Sequence, residues 1–185
     1  MTIKVGLVVG SLRKDSYTRA IAKQASELLP DNYQVIDINI GNLDLYNQDL
    51  DDEDRVPQSW KNFRQQMSKV DAVIFATPEY NRSVPGALKN AIDVGSRPYG
   101  KSIWDKKPAV ILSVSPGSIS GFGANHHLRQ SLVFLNMPVV SQPEVYIGNV
   151  TSVLDDNLKI TNPGTLHFLQ SAMDTFDDLV NRFND

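Results

Sequence analysis

The chain of 185 residues contains no cysteine. This absence excludes a disulfide framework, a thiolate metal site and a cysteine nucleophile. Basic residues are not in excess either, since 18 Lys and Arg stand against 21 Asp and Glu and give a formal net charge of −3. We therefore expect neither nucleic acid nor an anionic membrane surface as a partner.

Long apolar runs are missing as well, because no segment approaches the roughly 20 apolar residues of a membrane span. Residues 1–9 lack the cationic start, the long apolar stretch and the cleavage site of a signal peptide. The chain length fits one hydrophobic core. We therefore expect a cytoplasmic protein that folds as one domain over residues 1–185.

Short apolar runs alternate with helical patterns along the chain. Five runs rich in Val and Ile predict strands, the fifth of them weaker because Pro143 interrupts it. They are Ile3–Val9, Tyr33–Ile38, Asp71–Thr77, Ala109–Ser115 and Val139–Ile147. The first four have the pattern of strands that are buried on both faces. The alternation predicts an α/β fold, with an open parallel sheet and helices on both faces.

The connecting segments carry apolar residues at helical spacing. Pro57 and Pro85 stand where the first turn of a helix tolerates proline. The predicted apolar helix faces are Tyr17, Ile21, Ala25, Leu28 and Leu29; Val56, Trp60, Phe63 and Met67; Leu128, Leu132 and Leu135; and, in a long closing helix, Leu166, Leu169, Met173, Phe176, Val180 and Phe183.

Ligands of an open parallel sheet bind outside the carboxyl ends of the strands, where the strand order reverses. The loops at that edge follow the first, third and fourth predicted strands. They are residues 10–16, 78–84 and 116–124.

The first of these loops has the composition of a phosphate site. Ser11, Ser16 and Thr18 each offer a hydroxyl, and Arg13 offers a charged fork, directly before a predicted helix N-terminus. Backbone N–H groups and the helix dipole favour an anion at that place. The spacing lacks G-x-G-x-x-G, so a monophosphate suits it better than a dinucleotide. The alternative is a helix that is merely capped by serine, with a solvated arginine beside it.

The second and third loops carry residues that suit a planar heterocycle. Tyr80 stands between Glu79 and Asn81, directly after Pro78, and backbone groups there can bind the polar edge of a ring. The alternative is a turn shaped by proline that leads into a helix. The end of the fourth predicted strand and the third loop, together residues 113–123, hold three glycines and four serines, which permit a close approach of the backbone. The alternative there is an ordinary flexible connection.

Other patterns are rejected on their context. Residues 95–102 match the spacing of a nucleotide-triphosphate P-loop, but they follow a predicted helix and lead into a strand. Asp49, Asp51 and Glu53 have calcium-loop spacing, yet Asp54 occupies the glycine position, so we expect a solvated acidic loop.

The three histidines do not predict zinc. His126 and His127 are adjacent, and His167 alone remains to join them. No G-x-S-x-G elbow is present, because the spacing from Gly117 to Gly121 centres on Ile119. We therefore expect neither a metal site nor serine hydrolysis.

Taken together, the three loops resemble those of the NAD(P)H-dependent FMN reductase family, which includes bacterial quinone and chromate reductases. Residues 10–13 with Ser16 match the phosphate loop of that family, and residues 78–81 with 83–93 match its long signature. The similarity continues through residues 115–117 and 128–130. It covers most of the chain from Ile3 to Ile147.

The resemblance implies a flavodoxin-like fold with strand order 2-1-3-4-5 and a tightly bound FMN. It assigns the phosphate and ribityl chain to Ser11, Arg13, Ser16, Tyr17 and Thr18. It assigns the border of the isoalloxazine ring to Pro78, Glu79, Tyr80, Asn81, Ser115 and Gly117.

The activity implied is the reduction of bound FMN by NADPH or NADH, followed by electron transfer to a small acceptor. Quinones are the leading acceptors, with azo compounds, metal oxyanions and free flavin as further candidates. Because the cofactor carries this chemistry, no catalytic acid, base or nucleophile is assigned. The resemblance also implies a homodimer or homotetramer, with an interface at Pro85–Asp93. The alternatives are an FMN electron carrier and a flavin or nucleotide sensor, both without NAD(P)H turnover.

Overall fold

The computed structural model describes residues 2–184. Five parallel strands form one sheet in the order β2-β1-β3-β4-β5. The strands are β1 (Ile3–Val9), β2 (Tyr33–Ile38), β3 (Ala72–Thr77), β4 (Ala109–Val114) and β5 (Val145–Ile147). The α/β fold predicted from the alternating patterns, and the strand order implied by the resemblance, are both confirmed.

Within residues 2–184, six α-helices connect and cover the strands. They are α1 (Tyr17–Ser26), α2 (Gln48–Asp52), α3 (Gln58–Met67), α4 (Gly86–Gly95), α5 (Phe122–Phe134) and α6 (Pro163–Asn184). Helices α1 and α6 pack on one face of the sheet, and α3, α4 and α5 pack on the other. No helix within residues 2–184 is long and apolar enough to cross a membrane.

The central strands β3 and β4 are buried along their whole length, as their unbroken apolar runs predict. The prediction that β2 is buried on both faces is wrong. Only Ile38 of this strand is buried, because β2 lies at the edge of the sheet and the side chains of Gln34, Val35 and Asp37 reach solvent.

The fifth strand is shorter than predicted. Val139 makes an isolated bridge to Ala109, and regular pairing begins only at Val145, after Pro143. Proline has no N–H group to donate to a neighbouring strand, which is why the run is interrupted. The boundaries of β3 and β4 each differ by one residue from the predicted runs.

The predicted helix faces form most of the core around the sheet. The end residues of these faces are exceptions, because Leu28 and Leu29 follow the end of α1, and Val56 precedes α3. These three residues still pack against the core. In α6, Leu166 and Phe183 are 37 % and 52 % exposed, so they lie outside the core.

The acidic segment predicted as a solvated loop is a short helix, α2. The prediction is wrong for Asp51, whose side chain is 3 % exposed and accepts hydrogen bonds from Nη1 and Nη2 of Arg64 at 2.7 and 2.8 Å. The guanidinium of Arg64 also lies over the ring of Trp60, at 5.4 Å from its centroid. Both carboxylate oxygens of Asp51 therefore pair with Arg64 in a buried ion pair, which is a structural role.

Candidate functional site

The three loops named from the sequence meet at the carboxyl edge of the sheet, beside the reversal of strand order between β1 and β3. They enclose a cavity of about 240 Å³. Its lining is Ser11, Arg13, Ser16, Tyr17, Thr18, Pro78, Glu79, Tyr80, Val114, Ser115, Pro116 and Val150. This volume is below the roughly 300–1,000 Å³ of pockets that enclose a small molecule, so a larger ligand would stay partly exposed.

The first wall of the cavity is the start of α1. Ser16 is the N-cap of this helix, and its Oγ accepts a hydrogen bond from the Arg19 N–H at 3.1 Å. The N–H groups of Tyr17 and Thr18 lie in the first turn, where a helix has no carbonyl to pair with them. Ser11, Ser16 and Thr18 are each 4 % exposed. This wall therefore offers hydroxyl and backbone donors at the positive end of a helix dipole.

Arg13 adds the positive charge of this wall. Its side chain is exposed, and the guanidinium lies 5.9 Å from the centroid of the Tyr17 ring. A guanidinium at the mouth of the cavity can bind an anion through two parallel hydrogen bonds.

The second wall follows β3. Thr77 Oγ1 donates to the Pro78 carbonyl at 2.7 Å, and the loop then turns back on itself at residues 80–83. Tyr80 is 47 % exposed at the rim of the cavity. Asn81 lies at the tip of the turn with a φ of 51° and does not line the cavity.

The third wall follows β4. Ser115 Oγ accepts from the Gly117 N–H at 3.0 Å, and the Val150 N–H donates to the Ser115 carbonyl at 3.2 Å. Because the Ser115 hydroxyl is an acceptor in this turn, its own proton stays available to a ligand. Gly117 shapes the turn but does not line the cavity.

Nine of the eleven residues predicted for the site therefore come together around one cavity, and Asn81 and Gly117 lie beside it. Sequence reasoning missed Val114, Pro116 and Val150. The first two adjoin the predicted Ser115, so a wider window around that residue would have included them. Val150 starts a short 3-10 helix after β5, and no local pattern indicates that its backbone reaches Ser115.

The rejected motifs also have their places in the structure. Residues 95–102 begin at the last residue of α4 and continue through turns, so no helix starts there to hold phosphates. Within the described part of the chain, no group of three or more acidic or histidine side chains is arranged to hold a metal ion. His126 instead contacts the Tyr146 hydroxyl, and His127 contacts the Ser83 hydroxyl, each at 3.0 Å.

Comparison with known proteins identifies the family of this chain. The sequence model of the family described as NADPH-dependent FMN reductase matches residues 3–152. A protein of Pseudomonas putida named quinone reductase is 56 % identical over 176 residues, which are 95 % of this chain and 94 % of that protein. A protein of a Burkholderia species named 2-hydroxy-1,4-benzoquinone reductase is 40 % identical over 95 % of this chain and 95 % of its own length.

A solved structure agrees over nearly the whole chain. The flavoenzyme NAD(P)H:(acceptor) oxidoreductase FerB from Paracoccus denitrificans is 36 % identical, with a TM-score of 0.90 and coverage of 98 % of both chains. The similarity therefore extends beyond Ile147, where the sequence motifs end, into α6. The match of the family model and the identities to these relatives establish that this chain belongs to the NADPH-dependent FMN reductase family.

Proposed function

We propose that this protein is an FMN-dependent oxidoreductase, which uses NADPH or NADH to reduce bound flavin and passes the electrons to a quinone or a similar small acceptor. The observation that carries this proposal is a cavity whose lining joins the donor groups at the start of α1 to the loops after β3 and β4. The curated relative at 56 % identity is named quinone reductase, which makes a quinone the first acceptor to test.

The start of α1 fits the phosphate of FMN. A phosphate dianion needs several donors and a positive field, and this wall provides hydroxyls, free N–H groups and a guanidinium. Ser11, Ser16 and Thr18 would donate their hydroxyl protons, while Arg13 would close over the anion from the solvent side. Tyr17 would border the ribityl chain.

The loops after β3 and β4 fit a flat heterocycle. Pro78, Tyr80 and Pro116 offer the apolar surfaces that such a ring prefers, and the Ser115 hydroxyl has a proton to donate at its edge. Asn81 and Gly117, which lie beside the cavity, would act only by shaping the turns to which Tyr80 and Ser115 belong.

When bound, FMN supplies hydride acceptance and electron transfer, which protein side chains do not provide. The chain itself has to bind the phosphate, hold the ring flat and leave one side open to substrates. Among the described residues that line the cavity, Glu79 carries the one carboxylate, and both of its oxygens are engaged by other residues. We therefore assign no residue as a catalytic acid or base.

The visible absorption spectrum of the FMN-loaded protein tests this function. The purified protein is saturated with FMN, excess flavin is removed, and visible absorption is recorded anaerobically before and after addition of NADPH and then NADH. Retained flavin that bleaches supports the reductase, and reoxidation by a quinone identifies the acceptor class. Flavin that is retained but reduced by neither nucleotide contradicts it and favours an electron carrier or a sensor.

We also propose that the protein is a homodimer or homotetramer with an interface at Pro85–Asp93, which covers the N-cap and most of α4 (Gly86–Gly95). A groove of about 400 Å³ runs between α4 and α5, and Phe134 at its edge is 88 % exposed. Tyr99, which is 90 % exposed, lines a neighbouring groove together with Phe134. Apolar side chains exposed in one region are typical of an interface. Sedimentation at micromolar concentration checks this, and a monomeric mass there would refute it.

Two further expectations from the sequence stay predictions. Limited proteolysis checks that residues 1–185 form one domain, and cell fractionation checks the cytoplasmic location.

A further inference from the structure

The loop after β3 ends in a tight hairpin whose shape is costly for its residues. The Tyr80 N–H donates to the Ser83 carbonyl at 2.9 Å, and the Ser83 N–H donates to the Tyr80 carbonyl at 3.0 Å. The two residues between them, Asn81 and Arg82, have φ values of 51° and 65°. Two consecutive left-handed residues define a type I′ turn. Arginine is unfavourable in this conformation, so contacts from elsewhere must stabilise the turn.

Glu79 provides two of these contacts. One carboxylate oxygen, Oε1, accepts from Arg82 Nη1 at 2.9 Å, and the other, Oε2, accepts from the Ala124 N–H at 3.1 Å. Ala124 lies in the first turn of α5, where N–H groups have no partner within the helix and a negative charge is favoured. The Glu79 side chain is only 10 % exposed.

The same hairpin touches α5 at two more places. A Cβ atom added at Gly123 would lie 2.8 Å from the Arg82 carbonyl oxygen, so the hairpin backbone rests directly against the helix there. Four residues further along α5, His127 Nδ1 lies 3.0 Å from Ser83 Oγ. The hairpin and the first turns of α5 are therefore in direct contact.

We propose that Glu79 is a positioning residue: its carboxylate ties the hairpin of residues 80–83 to α5 and so sets the distance between Tyr80 and Ser115 across the cavity. Tyr80 belongs to this hairpin, and Ser115 belongs to the loop that leads into α5. Both carboxylate oxygens are already engaged, so the role needs no contact with the flavin. The inference rests on the proposed function, because the cavity is taken as the FMN site.

The link that Glu79 makes between the hairpin and α5 is tested first without FMN, by amide hydrogen exchange. Glu79→Ala removes the acceptor of the Ala124 N–H, so exchange at Ala124 and Ser83 becomes faster than in the wild type. Glu79→Gln keeps an amide oxygen that can accept from Ala124 but turns an NH2 group towards Arg82, so it restores slow exchange at Ala124. The control is Glu27→Ala, an exposed glutamate at the far end of α1. If exchange at Ala124 and Ser83 is unchanged in Glu79→Ala, Glu79 does not link the hairpin to α5, whether or not the protein binds flavin.

The consequence for the cavity is tested by titration with FMN. We expect Glu79→Ala to raise the dissociation constant about tenfold, the usual loss for one weakened contact to a ligand, because the hairpin no longer holds Tyr80 in place, and to shift the visible band of the bound flavin. Glu79→Gln recovers most of the affinity. A folded Glu79→Ala with wild-type affinity overturns the inference, and so does a Glu79→Gln as weak as Glu79→Ala. A wild type that binds no FMN contradicts the proposed function itself.

A second variant displaces the hairpin and keeps the Glu79 carboxylate. Gly123→Ala puts a methyl group 2.8 Å from the Arg82 carbonyl oxygen and 3.0 Å from Glu79 Oε2, so the hairpin has to shift away from α5. We expect weaker FMN binding here too. The matched control is Gly164→Ala in α6, where the added methyl group is 3.2 Å from Asn162 Oδ1 and the residue is exposed. Unchanged FMN affinity in Gly123→Ala contradicts the inference.

Discussion

Ser16 Oγ accepts a hydrogen bond from the Arg19 N–H at 3.1 Å at the start of α1. This bond uses a lone pair of the hydroxyl oxygen and leaves its proton free to donate. The sequence left two interpretations of Ser16 open, a helix cap and a phosphate ligand. The geometry makes them compatible, because one hydroxyl can perform both roles at once.

Two substitutions at Ser16 separate these roles. We expect Ser16→Ala to lower the free energy of unfolding by about 1 kcal/mol, the usual cost of a lost cap, and to weaken FMN binding. Ser16→Asp keeps a capping oxygen and the stability, but its charge repels a phosphate, so FMN binding is lost. Denaturant unfolding and FMN titration measure the two effects.

The control for Ser16 is another cap. Asn47 caps α2 by accepting from the Asp49 N–H at 3.1 Å, and it does not line the cavity. Asn47→Ala is expected to lower stability and leave FMN affinity unchanged. If Ser16→Asp bound FMN as tightly as the wild type, the phosphate would have to lie elsewhere.

Arg13 is predicted to contribute to FMN affinity without contributing to the fold. Its exposed guanidinium would form a charge-assisted bond to the phosphate, so Arg13→Ala weakens binding by about 1–3 kcal/mol. Isothermal titration with FMN measures this. Lys14→Ala is the control, since Lys14 carries the same charge, is exposed and does not line the cavity. Equal affinities in the two variants would remove Arg13 from the phosphate site.

Stability is predicted to fall at alkaline pH through Tyr146. Burial, and next the hydrogen bond that its hydroxyl donates to Glu144, raise the pKa of Tyr146 to about 12. Between about pH 10 and about pH 12 the unfolded tyrosine loses its proton while the folded one keeps it. Unfolding then releases a proton, so stability decreases as pH rises through this range.

Two other groups contribute to the alkaline pH dependence. Burial, and next the hydrogen bond to Asp177, raise the pKa of Tyr33, which adds to the alkaline loss. Burial lowers the pKa of Lys107 from 10.5, so Lys107 acts in the opposite direction and only below that pH. We expect Tyr146→Phe to reduce the slope of unfolding free energy against pH, and Tyr99→Phe, at a ring that is 90 % exposed, to leave it unchanged. Denaturant melts across this range measure both slopes, and an unaltered slope in Tyr146→Phe would count against the assignment.

The glycine that begins the apparent P-loop is predicted to serve packing. A Cβ atom at Gly95 would lie 2.5 Å from Nε1 of the fully buried Trp104, which donates to the Ile92 carbonyl at 2.9 Å. Gly95→Ala is therefore expected to lower the free energy of unfolding by about 1–3 kcal/mol, the usual cost of overpacking.

Two variants serve as comparisons for Gly95. Gly86→Ala adds a methyl group with nothing within 4 Å at the first residue of α4, where alanine is the better helix former, so it is expected not to lower stability. Lys101→Ala is expected to change neither stability nor any binding of ATP, which equilibrium dialysis measures. Loss of ATP binding in Lys101→Ala would restore the P-loop interpretation.

The sequence indicated which edge of the sheet carries the candidate site, because the apolar run that marks a buried strand is a local pattern of residues. The apolar runs that become β1, β3 and β4 marked the loops at their carboxyl ends, and nine predicted residues now line one cavity. The same reasoning misjudged β2 and Asp51. The run of β2 does not tell whether a neighbour covers it, and Asp51 finds its partner Arg64 thirteen residues away on another helix.

The sequence by itself therefore determined the alternation of strands and helices, the loops that form the site and the family, because these depend on residue types at fixed spacing along the chain. Only the tertiary structure decided that Glu79 reaches Ala124 across 45 positions and that the Val150 backbone reaches Ser115. Contacts of this kind arise when distant segments pack against a common sheet. Their distances depend on the whole fold, and no local pattern encodes them.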